Sequence, residues 1–191
     1  MSLDKWKKNL QEAKNNQPDF EEQENLHKVA ERHDASRPPL HCIFVSEKEA
    51  KNHAEELEVH CSRWKRDSNV TIEHASVTSE LITKIQDLLK NKIPVMLVCL
   101  LGPKYLEKSI DISLVQKFSQ ARCNDLMRII PILSKSCDYK NTEYQSLQFL
   151  PGSLFDRDKG LKPLTSATNL DEKLTEIVAG FRKADEELRK K

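Results

Sequence analysis

Two glutamates, Glu47 and Glu49, stand directly behind a short apolar run and are the carboxylates whose spacing best suits chemistry. Paired acids after the first strand of an α/β domain can hold Mg²⁺ beside a phosphate-accepting Asp. That Asp belongs at the end of the third strand, where Cys99, Leu100 and Leu101 stand instead, so the pair reads as the acidic first turn of a helix. His53 and His60 lie about two helical turns apart, near Glu56, too far to share one ion without a bend. They read as a solvated helix face, and no metal is expected. Five cysteines, odd in number and without a C-x-x-C pair, suggest neither zinc nor a redox motif. Cys42 and Cys99 lie in apolar runs, where free thiols serve as small hydrophobes, which points to a reducing, cytoplasmic location. Four glycines leave no G-x-G-x-x-G or G-x-x-x-x-G-K-[ST] loop, and no G-x-S-x-G elbow occurs. No cofactor is expected.

The residues that must position these groups fall into an alternating pattern. Arg63, Lys65 and Arg66 flank Trp64, and a net charge of +1 gives no general pull toward nucleic acid or anionic membrane. The string reads as a helix end carrying one packed tryptophan. Residues 1–38 are densely charged with two short apolar stripes, and Pro38 and Pro39 stop any helix, so they form a charged, partly helical or disordered arm. From residue 40 onward apolar runs and helical periodicity take turns: strands at 41–46, 70–73, 94–101 and 127–133, and a weak fifth at 146–150. Between them, Leu57 and Cys61 mark one helix, Leu81, Ile85 and Leu89 another that Ser79 can cap, and Leu114 and Phe118 a third spanning 105–121. Leu174, Ile177 and Phe181 mark a closing helix over 170–188. The spacing predicts a doubly wound, flavodoxin-like five-stranded parallel sheet with helices on both faces, occupying 39–182, with 183–191 a charged helix end. No run approaches the roughly 20 apolar residues that span a bilayer, and the amino terminus has no apolar leader core.

Several strings in this order resemble the Toll/interleukin-1 receptor (TIR) domain family over about residues 40–182. Phe44, Val45 and Ser46 match the end of the family's first box, Asp-Ala-Phe-Ile-Ser. Residues 95–101 followed by Tyr105 and Leu106 are similar to its third strand and Tyr-Leu-x-Ser turn, and Ile130-Pro131-Ile132 to its fourth strand. The second box, Arg-Asp-x-x-Pro-Gly, has no counterpart, since the corresponding loop is His74-Ala75-Ser76-Val77-Thr78. The glutamate of NAD-cleaving members falls about where Val115 and Gln116 stand, and neither can stabilise the positive charge that develops as nicotinamide leaves.

The resemblance therefore implies a cytoplasmic, non-catalytic adaptor of innate-immune-type signalling that binds other TIR domains, its own copies included as a weak homo-oligomer. By analogy its interface comprises His74, Ser76 and Val77 in the loop after the second strand, Glu80 and Lys84 on the following helix, and Asp111 and Lys117 on the helix after the third strand. The alternative is an NAD-consuming or nucleotide-processing enzyme of the same fold, using an acid elsewhere such as Glu47 or Glu80. Nucleic acid and membrane insertion are not expected.

Overall fold

A computed structural model of the chain describes residues 38–108, 126–140, 142–156 and 160–190. Four strands, β1 (Leu40–Ser46), β2 (Val70–Ala75), β3 (Val95–Leu101) and β4 (Met127–Leu133), form one parallel sheet in the order β2-β1-β3-β4. All seven residues of β3 are buried, as its unbroken Val-Met-Leu-Val-Cys-Leu-Leu run requires of a strand paired on both sides and covered on both faces.

The helices are α1 (Lys51–His60), α2 (Ser62–Asp67), α3 (Ser79–Lys90), α4 (Pro103–Glu107) and α5 (Leu170–Arg189). The chain steps from β1 outward to β2, then back past β1 to β3, and right-handed crossovers put the helices of those two steps on opposite faces. Strand alternation divides the core accordingly. Leu40, Cys42 and Phe44 meet Leu57, Trp64, Leu174 and Phe181 of α1, α2 and α5. Ile43 and Val45 meet Leu81, Ile85 and Leu89 of α3 and Tyr105 of α4. Burial of each such side chain contributes roughly 1.5–3 kcal/mol.

α3 is capped by Thr78, not Ser79: the Thr78 hydroxyl accepts the Leu81 N–H at 3.3 Å, while Ser79 is the first residue of the helix. It ends in a Schellman motif, with Lys92 N–H donating to Leu89 O and Ile93 N–H to Leu88 O, both at 3.0 Å. That motif puts Lys92 at φ 57°, a left-handed position that glycine normally fills.

α5 is capped by Asn169, whose side chain accepts the Glu172 N–H at 3.3 Å. Its packing continues past residue 182, since Ala184, Asp185 and Leu188 are buried. Near its end, the Arg189 guanidinium binds the Asp185 carboxylate and donates to Ser68 O at 2.6 Å and Pro38 O at 3.0 Å. Trp64 Nε1 donates to the same carboxylate at 3.0 Å. One arginine thus ties together the start of β1, the end of α2 and the end of α5.

The fifth strand expected at 146–150 is not formed. Glu143–Ser146 is a 3-10 turn, and among the described residues only the Leu150 N–H reaches the free edge of β4, donating to Pro131 O at 3.1 Å. Pro131, whose carbonyl faces that edge, has no N–H to return, so the one rung made there carries a single bond where a parallel ladder would place two. A small antiparallel hairpin, β5 (Phe155–Asp156) with β6 (Gly160–Leu161), follows instead. Among the described residues no helix is long and apolar enough to cross a membrane.

Candidate functional site

In a doubly wound sheet, ligands and partners meet the loops at the carboxyl ends of the strands where the strand order reverses, here between β1 and β3. The chain fills that place with its own side chains. Glu47, 7% exposed, accepts the Val77 N–H at 3.3 Å through one carboxylate oxygen and the Lys108 ammonium at 3.0 Å through the other. The Ser76 hydroxyl donates to Ser46 O at 3.5 Å, completing the hold on the loop after β2.

Glu49 accepts the Lys104 N–H at 2.8 Å, at the start of α4. Its carboxylate lies so close to Gly102 that a β-carbon there would collide with Oε1. Both acids do begin a short 3-10 turn, Lys48–Ala50, but their carboxylates are spent on backbone and cation partners 30 to 61 residues away. The Gly102-Pro103 pair, with proline at the first helical positions, is the sequence signal that marks this close turn.

His53 is not on a solvated face. It is half-buried, and its Nδ1 lies 2.7 Å from the hydroxyl of Ser134 at the end of β4. Burial, with Lys135 adding, outweighs Glu56 and holds the imidazole below its ordinary value, so it is a neutral hydrogen-bonding group. A serine beside a neutral histidine has the elements of an activated nucleophile, yet Ser134 is wholly buried and presents no oxygen to a substrate. The pair serves to fasten α1 to β4. His60 pairs with Asp171 at 3.2 Å. Trp64 is buried, as expected, and Arg63 and Arg66 bind Asp67 at 3.2 and 3.3 Å.

The thiols of Cys42, Cys61 and Cys99 are buried, and the four described cysteines are free. Burial pushes Cys61 and Cys99 up to about 12 and half-buried Cys137 up to about 11, which leaves them protonated and unreactive at neutral pH.

The outer stripe of α3 is different in kind. Glu80, Thr83, Lys84, Asp87, Leu88 and Asn91 line a shallow open groove of about 410 Å³. Lys84 Nζ lies 2.5 Å from both oxygens of Glu73, whose Oε2 is also 3.1 Å from His41 Nε2. Burial pushes the Glu73 carboxyl up, but the bonds from Lys84 and His41 outweigh it and hold the group below its ordinary value.

Strand alternation separates the residues expected to act together. Glu73 points to α3, whereas His74 points to the opposite face, its Nε2 2.7 Å from Glu58 Oε2 and its ring 5.5 Å edge-on from Phe44. The His74 bond, with Lys65 adding, holds the Glu58 carboxyl below its ordinary value against the upward push of burial. Of the expected interface residues, then, Glu80 and Lys84 share the α3 groove, Ser76 and Val77 lie in the loop that leads into it, and His74 belongs to the α1 side. Asp111 and Lys117, like Val115 and Gln116, lie outside the described residues. Comparison with protein-family models, curated proteins and solved structures gives no match.

Proposed function

We propose that this chain is a TIR-like interaction module for signalling, which docks on a second copy of itself or a related domain through α3 and the loop before it. The observation that carries the reading is the α3 stripe. When two copies of α3 pack antiparallel about a two-fold axis, Lys84 opposes Asp87 of the second copy, Glu80 opposes Asn91 and Thr83 opposes Leu88, each pair occurring twice. Releasing Lys84 from the exposed Glu73 pair costs little, since such pairs are worth about 0–1 kcal/mol.

The state of the acids supports the same reading over catalysis. Glu47 spends both oxygens on Val77 and Lys108, and Glu80 stands on an open helix face rather than in an enclosed cavity.

The test is self-association of the purified chain against concentration by sedimentation equilibrium. Lys84→Asp and Asp87→Lys are each expected to weaken it and the double exchange to restore it, with unchanged circular dichroism. A wild-type chain that stays monomeric at hundreds of micromolar, or one insensitive to both exchanges, overturns the α3 interface. Chromatography of a long incubation with NAD⁺ is expected to return the dinucleotide intact, and turnover abolished by Glu47→Gln or Glu80→Gln would replace the adaptor reading with an enzymatic one.

A further inference from the structure

We propose that Glu47 is the positioning residue of the interaction surface, a buried carboxylate that makes the loop before α3 and the end of α4 respond to each other. The Glu47 side chain is 9% exposed, so its carboxylate oxygens depend on the two partners that meet them there. One partner is the Val77 N–H, at 3.3 Å. The next residue, Thr78, is the cap whose hydroxyl accepts the Leu81 N–H, so the loop held by Glu47 runs without interruption into the first turn of α3.

The other partner is Lys108, just beyond α4, whose side chain is 57% exposed while its ammonium lies 3.0 Å from Glu47 Oε2. Lys108 is therefore a surface group whose charge is read by a buried one. Whatever draws Lys108 away leaves Glu47 short of its cation. The carboxylate must then find water by moving outward, and in moving it releases the Val77 N–H. Conversely, a partner that orders the loop and α3 keeps Glu47 in place and holds Lys108 at the rim. The coupling is reciprocal by thermodynamic necessity.

The relevance of this latch to docking rests on the interaction-module reading; its existence does not. The experiment is amide hydrogen exchange by NMR on the full-length wild type and on Lys108→Met, Glu47→Gln and the double variant, alongside self-association of the same samples. Loss of a charge-assisted bond is expected to speed exchange of the Val77 amide by at least about fivefold in Lys108→Met, while the amides of Ile43 and Val98 in the sheet stay as in wild type. In the Glu47→Gln background, adding Lys108→Met is expected to change the Val77 rate by less than about twofold, because the path between the two is gone.

A Val77 rate in Lys108→Met equal to wild type overturns the latch, as does an effect of Lys108→Met that is the same in both backgrounds. Lys108 is half exposed, so that variant folds, and it decides the first outcome even if Glu47→Gln does not. A wild-type chain that never associates while the exchange coupling persists retires the docking reading and leaves the latch standing.

Discussion

Replacing Arg189 by methionine is the sharpest test of how the chain is closed. The Arg189 and Asp185 side chains are each 5% exposed, and the guanidinium serves three acceptors: the Asp185 carboxylate, Ser68 O and Pro38 O. Methionine keeps most of the volume and removes every donor. Asp185 would retain only the Trp64 N–H, and breaking one side of a buried ion pair in this way costs about 3–5 kcal/mol. Against a typical total of about 5–15 kcal/mol, and at about 2–4 °C per kcal/mol for a chain of this size, the melting temperature should fall by roughly 6–20 °C.

The control is Arg63→Met, which breaks a bond to Asp67 at a side chain 75% exposed and should leave the unfolding midpoint near that of wild type. Changing Asp185 to leucine as well removes the stranded charge, so Arg189→Met with Asp185→Leu should be less damaging than Arg189→Met alone. The assay is urea unfolding at pH 7 with linear extrapolation. An Arg189→Met variant within about 0.5 kcal/mol of wild type, or a double variant as costly as the two singles added, refutes the reasoning.

Lys92→Gly should stabilise the domain by about 1 kcal/mol in the same assay, because lysine at φ 57° carries a steric cost that glycine lacks. Gly102→Ala should cost about 1–2 kcal/mol and free the Lys104 amide to exchange, since its β-carbon would push the Glu49 carboxylate off that N–H. Because His53 binds its proton less readily folded than unfolded, the unfolded state takes up more protons as pH falls below about 6.5. Stability should decline from there downward, and His53→Gln should flatten the change in melting temperature between pH 7.5 and 5.5. In a Cys123→Ser background at pH 8, a thiol reagent should modify Cys137 before Cys42, Cys61 and Cys99, and all four should react at once in denaturant.

The sheet was legible where burial leaves a periodic trace. β3 is apolar throughout because both of its faces are covered, and Leu81, Ile85 and Leu89 recur at helical spacing because one face of α3 is. The expectation of a fifth strand fails because an alternating stretch such as Ser-Leu-Gln-Phe-Leu at 146–150 says nothing of whether its neighbour can pair. That depended on Pro131, some fifteen residues earlier and on another element. Long-range polar contacts were illegible for a related reason. Glu47, Glu49, His53 and Arg189 have the composition of surface residues, and only the fold brings them to Val77, Lys104, Ser134 and Ser68. Of the expected interface, adjacency on α3 followed from helical spacing. The parting of His74 from Glu80 and Lys84 followed from strand register, which a loop-wide analogy ignores.

Pro131 has a consequence for how this protein behaves in crowded solution. An exposed strand is a template on which another molecule can continue the sheet, and chains that do so grow into fibrils. At the β4 flank an incoming strand would find one rung without a donor and Leu150 already occupying its acceptor. At the opposite flank, β2 carries Glu73 and His74, so a second β2 laid alongside would bring like groups together. Growth by strand addition is thus checked at both ends of the described sheet, a condition that the proposed contact through α3 requires if it is to stay reversible.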